Sequence, residues 1–169
     1  MIQSSVDDLI NHFDTRLQTL DALITSGLEH IQDATKLLAL RLAPDMLPFG
    51  TQIAYTCNQP RNFALFLSGK APDNLSPDVT TLEQARKHIT ETRALLASAT
   101  RDDSKWQDVT LVHFGPTLSA NMSGMEYTND FLLPNFYFHL VTAYAILRMS
   151  GTPLGKKDYM RHIAAYLRR

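Results

Sequence analysis

The sequence predicts a mainly α-helical protein, in which four long helices pack as a bundle and a small β-hairpin lies between the third and fourth helices. Apolar residues recur at spacings of three and four along most of the 169-residue chain, which is the period of an amphipathic helix. The spacing changes to two over residues 108–122, as is typical of strands. A chain of this length usually forms one domain, so we expect a single domain over residues 1–169.

The first half of the chain predicts two long helices. The first covers residues 5–32, where the apolar side chains fall on one stripe of the helix. Residues 33–45 then form a connector with a short helical turn, and the second helix covers residues 46–68. Pro48 fits the first turn of this second helix, because the backbone N–H that proline lacks has no helical partner there.

The middle of the chain predicts a loop, a third helix and the hairpin. Residues 70–79 are rich in proline, asparagine and aspartate, which favours a loop. Thr80 and Glu83 have the spacing of a capping box, so we expect the third helix to begin there and to end near Thr100. The alternating residues 108–122 follow, with a Gly-Pro turn between the two strands.

The last part of the chain predicts the most apolar helix of the bundle. Ser123 and Glu126 can cap a short helical turn at residues 124–131. The long helix predicted over residues 133–149 is apolar on almost every face, which is typical of a central, buried helix. A final helix is predicted over residues 156–167.

Composition excludes several classes of function. The formal net charge is -1, so there is no overall basic excess of the kind that binding to duplex nucleic acid requires. No run of 18 apolar residues and no signal peptide is present, so we expect neither a membrane span nor secretion. The one cysteine, Cys57, cannot form an intrachain disulfide, which fits a reducing compartment. Together these observations predict a cytoplasmic protein.

His139 is the most informative single residue, because it lies in the middle of the most apolar helix. A buried imidazole must find a hydrogen-bonding or coordinating partner, since an unpaired buried polar group is costly. His139 therefore serves either as a metal ligand, a base or a substrate contact, or as a core histidine bonded to a carbonyl or a tyrosine. The sequence leaves both interpretations open.

The spacing of metal-binding residues gives little support for a metal site. No two of the six histidines have the spacing of three or four that places ligands on one face of a helix. We therefore predict no cofactor, although a divalent metal is not ruled out by spacing alone. Cys57 fits a buried apolar position better than a nucleophile.

Several segments carry a family resemblance. Leu-Pro-Asn-Phe-Tyr-Phe-His-Leu-Val-Thr-Ala-Tyr-Ala-Ile-Leu-Arg at 133–148 and Gly-Thr-Pro-Leu-Gly-Lys-Lys-Asp-Tyr at 151–159 resemble the signature of a bacterial and fungal family of unknown function. Arg-Leu-Ala-Pro-Asp-Met at 41–46, together with Gln52, resembles its second signature. The family is similar in architecture to the DinB/YfiT-like superfamily of four-helix bundles, so the resemblance implies that fold and a homodimer.

Many members of that superfamily bind a divalent metal with three histidines, and some are thiol-dependent transferases. Of the three histidines, only His139 has a counterpart here, because the histidine of the second helix and the second histidine of the last long helix have no match. At 148–151 the chain also reads Arg-Met-Ser-Gly where the family is expected to read Arg-His-Asn-Gly. The resemblance therefore does not carry the metal over.

Three hypotheses about function follow. The first is a metal-free bundle that binds a small molecule in a pocket near His139. The second is a non-catalytic structural or interaction protein that forms a homodimer through aromatic helix faces. The third is a DinB-like metal-dependent transferase or hydrolase, so whether the protein is an enzyme stays open. The polar residues expected around the pocket are His139, Tyr137, Tyr144, Gln52, Asp45 and Arg41.

Overall fold

In the computed structural model, which describes residues 5–168, four long helices form the framework of the protein. The mainly α-helical fold class, with one hairpin between the third and fourth long helices, is confirmed. In chain order the elements are α1 (Val6–Ile31), α2 (Ala34–Ala39), α3 (Phe49–Leu67), α4 (Leu82–Ala97), a 3₁₀ turn (Asp103–Gln107), β1 (Val109–His113), β2 (Ser119–Ser123), α5 (Gly124–Glu126), a π-helical segment (Tyr127–Leu132), α6 (Leu133–Met149), α7 (Lys156–Tyr159) and a second 3₁₀ segment (Arg161–Tyr166).

The core of the bundle is built around α3, which packs against both α4 and α6, while α1 packs against α4 and also contacts α3 and α6. Three fully buried phenylalanine rings join the helices at its centre. The ring of Phe13 in α1 lies 5.5 Å from that of Phe63 in α3 and 5.1 Å from that of Phe136 in α6, measured between centroids. Edge-on and tilted aromatic pairs at such distances add to the stability gained from burial alone. The close packing of α3 and α6 brings His139 against α3.

The structure corrects the predicted start of α3. The helix begins at Phe49 rather than at residue 46, and Pro48 occupies the N-cap position with an extended backbone (φ -70°, ψ 164°). The ring of a proline disfavours helical geometry in the residue before it, so Leu47 could not join the helix. Proline is therefore at the boundary itself and not inside the first turn.

The predicted cap of the next helix is displaced by one residue. The side chain of Thr81, not that of Thr80, accepts a hydrogen bond from the backbone N–H of Gln84. Gln84 in turn accepts from the backbone N–H of Thr80. Thr80/Glu83 and Thr81/Gln84 have the same spacing, so the sequence pattern alone does not separate the two capping pairs.

The hairpin leads directly into the last long helix. Its antiparallel strands pair in register from Val109 with Ser123 to His113 with Ser119. Residues 124–149 then form one continuous helical segment, whereas the sequence predicted a separate turn. The wider π-helical turns end at Leu132, two residues before Pro134, which has no N–H to donate to the preceding turn.

The predicted helix over residues 156–167 is shorter than expected. The α-helix ends at Tyr159, where Met160 leaves helical geometry (φ -90°, ψ 13°), and the chain continues as a 3₁₀ segment to Tyr166. This C-terminal part packs against α1. Among residues 5–168, no helix combines the length and the hydrophobicity needed to cross a membrane.

A polar cleft around His139

His139 lies on the face of α6 that packs against α3, and its ring contacts two side chains of that helix. Nδ1 of His139 is 2.8 Å from Oε1 of Gln52. The ring also meets the ring of Tyr55 edge-on, with 5.1 Å between centroids. Because the side chain of Gln52 is almost completely buried, its amide is the polar partner that a partly buried imidazole needs.

A second hydrogen bond fixes which nitrogen of His139 carries the proton. Nε2 of Gln52 donates to the backbone carbonyl of Leu47 at 3.1 Å, and a carbonyl oxygen can only accept. The amide oxygen of Gln52 must therefore face His139, and it accepts from an Nδ1–H group. A neutral imidazole carries one proton, so Nε2 of His139 holds a lone pair. Among residues 5–168 nothing hydrogen-bonds to this nitrogen, and it is not fully buried.

Burial keeps His139 in its neutral form. Removal of the ring from water disfavours the imidazolium and lowers the pKa of His139 from 6.5 to about 4. At neutral pH the residue is thus an uncharged imidazole whose Nε2 can accept a hydrogen bond or coordinate a cation. It does not supply a positive charge to a ligand.

His139 lines an open cleft of about 820 Å³ that lies between α3, the loop before α4, β1 and the π-helical segment. A volume of this size is in the range of small-molecule sites. Among the described residues that line the cleft, none is a lysine, arginine, aspartate or glutamate. Its polar lining is supplied mainly by amides and its apolar lining partly by aromatic rings. These side chains are Asn58, Gln59, Asn62, Asn74, Tyr55, Tyr127 and Phe131.

One wall of the cleft is held in place by side chains of α3. Oδ1 of Asn58 accepts from the backbone N–H of Leu75 at 2.8 Å. Asn62 accepts from the backbone N–H of Asp73 at 3.2 Å and donates to the side chain of Asn74 at 2.9 Å. These bonds fasten an otherwise irregular loop to a rigid helix, so the cleft has a defined shape without a ligand.

The predicted site residues do not all lie together. His139 and Gln52 are in direct contact. Arg41 and Asp45 are exposed in the connector before α3, and the guanidinium of Arg41 donates to the carbonyl of Met46 at 2.5 Å. Neither of these two residues is among the described residues that line the cleft.

Tyr137 and Tyr144 lie on a different face of α6. The hydroxyl of Tyr137 is 2.6 Å from Nε2 of His12 in α1. The ring of Tyr144 packs on that of Tyr159, with 5.6 Å between centroids. Two positions along a helix correspond to a rotation of about 200°, so Tyr137 and His139 point in nearly opposite directions.

Comparisons with known proteins agree with this fold. The family model described as "Domain of unknown function (DUF1993)" matches residues 6–160. The chain belongs to this family. Among solved structures, it is similar to the crystal structure of a DinB family member protein from Shewanella denitrificans, with 26% identity, a TM-score of 0.78, and coverage of 89% of this chain and 88% of that chain. No curated protein matches the chain. The resemblance to a family of unknown function with a DinB-like fold is thereby confirmed.

The three-histidine metal site of DinB-like proteins is not matched by the donors of this DUF1993 member. Among the described residues that line the cleft, His113 is the one further histidine, and there is no cysteine or carboxylate. In the part of the chain that the structure describes, no three His, Cys, Asp or Glu residues are grouped so as to hold a metal ion. The donor set does not fit such a site.

Sequence reasoning missed the polar side of α3 in this DUF1993 domain. Gln52, Tyr55, Gln59 and Asn62 recur at spacings of three and four, which places them on one stripe of the helix. On a helix whose other faces are mainly apolar, such a polar stripe is expected to face solvent or a polar cleft. The sequence therefore did contain a signal for this wall of the cleft. The contribution of the loop and of β1 has no comparable sequence pattern.

Proposed function

We propose that the cleft around His139 binds an uncharged small molecule that donates an N–H or O–H group to Nε2 of His139. The observation that carries this proposal is the chain of hydrogen bonds from His139 through Gln52 to the carbonyl of Leu47. It holds the imidazole in one orientation and one tautomer, and it leaves the lone pair of Nε2 without a partner among residues 5–168. A fixed acceptor of this kind is what a binding site needs to select a donor.

The lining of the cleft supports an uncharged ligand. A charged group that enters a partly enclosed site loses water, and it must be compensated by an opposite charge or by several hydrogen bonds. The described lining contains no acidic or basic residue apart from His113 and His139. Rings such as Tyr55 and Phe131 favour a flat or aromatic ligand, because aromatic rings pack edge-on or with an offset. The ligand class is therefore a neutral, partly aromatic molecule with at least one N–H or O–H group.

The properties of His139 suit ligand binding better than acid–base catalysis. An efficient general base has a pKa near the operating pH, and burial holds the pKa of His139 at about 4. Such an imidazole accepts hydrogen bonds at neutral pH but is a weak base. We therefore infer a ligand-binding role, and a catalytic role would require a ligand that raises this pKa.

The test is a screen of neutral heteroaromatic fragments by ligand-observed NMR, followed by titration of the hits. His139→Phe keeps an aromatic ring and removes the acceptor, so it should abolish or weaken binding at least about tenfold. Tyr137→Phe is the matched control, since it changes the same helix on another face and should leave binding intact. Circular dichroism establishes that both variants are folded. Fragments that bind wild type and folded His139→Phe equally well would refute the proposal.

A second candidate function, assembly into a homodimer, is favoured by one face of α6. Phe138, Val141 and Met149 are 58%, 47% and 53% exposed, and they lie along one side of the helix. An exposed apolar stripe of this kind marks an interaction surface. Light scattering of wild type and Val141→Glu tests it, with a dimer expected for wild type and a monomer for the variant. A wild type that is monomeric at high concentration would contradict this candidate.

We also propose that the protein is located in the cytoplasm. Cys57 is a free and buried thiol, as is usual for proteins of reducing compartments.

A further inference from the structure

A second polar cluster lies between α1, α6 and the C-terminal segment, on the face of α6 that carries Tyr137. Tyr137 hydrogen-bonds to His12 across the two helices. Tyr159 and His162 belong to the C-terminal segment, which packs against α1. Burial and then the charge of Arg16 lower the pKa of His162, and the same charge opposes the rise in the pKa of Tyr159 that burial causes. Arg16 lies one turn after His12 on α1, so its side chain is directed to the same region.

Electrostatics link Arg16 to the two histidines of this cluster. Burial is the main reason why the pKa of His12 falls to about 4, and the positive charges of Arg16 and His162 add to this decrease. The pKa of His162 is lowered by burial and then by Arg16. His12 is therefore an uncharged ring at neutral pH, and the permanent positive charge of Arg16 acts on both His12 and His162.

The hydrogen-bonding capacity of the Arg16 guanidinium is only partly used. Nη1 donates to the hydroxyl of Thr15 at 2.9 Å, but Nε is buried without any hydrogen bond. Among residues 5–168, no carboxylate forms an ion pair with Arg16. Arg93 shows the contrast, because it forms two hydrogen bonds with the carboxylate of Asp14 at 2.6 and 3.2 Å.

An enclosed N–H group of an arginine is costly when it is left unpaired, since it has lost water and gained nothing in return. The fork of a guanidinium matches the two oxygens of a carboxylate or a phosphate. We propose that Arg16, together with Tyr159 and His162, forms a binding site for a small oxyanion, a carboxylate or a phosphate. The site is separate from the cleft at His139, and it holds an anion where the cleft holds an uncharged molecule.

The test is titration of the full chain with inorganic phosphate, acetate and benzoate at constant ionic strength, followed by calorimetry and thermal unfolding. Arg16→Met keeps much of the aliphatic stem and removes the charge, so it should weaken binding at least about tenfold. Arg161→Met is the matched control, because Arg161 is exposed next to His162 and loses the same charge. Comparison of the phosphate titration with the acetate and benzoate titrations shows which oxyanion is preferred.

A chloride control at the same ionic strength separates binding from general charge screening. The proposal is overturned if no oxyanion binds the wild type more tightly than chloride does, or if Arg16→Met binds as well as Arg161→Met. Ring signals of His12 and His162 in the wild type give a measurement that needs no variant. They should shift on anion addition while those of His113 in the hairpin do not, and equal shifts at all three would also refute the site.

Discussion

The stability of the protein should fall between pH 7 and pH 5, and part of this loss should disappear in His139→Gln. The pKa of His139 is about 4 in the folded protein and near 6.5 when the chain is unfolded. Between these values the unfolded state binds more protons than the folded state. The contribution of His139 is therefore fully present above pH 6.5 and is lost as the pH falls towards 4.

The size of this effect follows from the linkage of protonation and folding. The difference between 6.5 and about 4 corresponds to at most about 3.4 kcal/mol over the whole pH range. Between pH 7 and pH 5 the same relation gives roughly 1.8 kcal/mol. His139 is only partly buried, and screening by water reduces the effect to about 1 kcal/mol.

Urea unfolding at pH 7 and pH 5 measures this directly. The free energy of unfolding of the wild type should decrease by about 1 kcal/mol more than that of His139→Gln over this interval. His12, His88 and His162, whose pKa values are also lowered by burial, contribute to both proteins and cancel in the difference. Equal pH dependence in the two proteins would show that His139 is not held neutral by burial, and the reasoning would fail.

Three further predictions test other contacts. Gln52→Leu leaves the Nδ1–H of His139 without its acceptor and should lower the free energy of unfolding by about 1–3 kcal/mol; an unchanged urea midpoint would count against that bond. Tyr137→Phe removes the hydrogen bond to His12 and should cost about 0.5–1.5 kcal/mol in the same assay, and a smaller loss than for Gln52→Leu is expected. Burial raises the pKa of Cys57 to about 12, so a disulfide reagent at pH 8 should modify the unfolded protein but not the folded one; rapid modification of native protein would contradict the burial.

The order and type of the long elements could be predicted from sequence, because each long helix has to bury one stripe against its neighbours. The hairpin was also predictable, since an alternation of period two does not suit a helix. Helix boundaries were harder to predict where two sequence signals compete. Pro48, for example, fits the first turn of a helix, but it also disfavours helical geometry in the preceding Leu47. The break at Met160 has no sequence signal of this kind.

The candidate site was predictable only in part. His139 stands out because a polar group in an apolar helix needs a partner, and the family resemblance pointed to Gln52. Tyr137 and Tyr144 lie near His139 in sequence, but the helical rotation turns them to another face of α6. Residues far apart in the chain meet in the cleft through the packing of a loop and a hairpin, which no local pattern encodes.

The most direct test of the central claim is the ¹⁵N NMR spectrum of the ring nitrogens of His139 between pH 4 and pH 8. The account predicts a neutral ring at pH 7 with the proton on Nδ1, an unprotonated Nε2, and titration well below pH 6.5. Nε2 should then respond to the fragments that bind the cleft. A proton on Nε2 at pH 7, or titration at or above pH 6.5, would contradict the hydrogen-bond chain on which the proposed function rests.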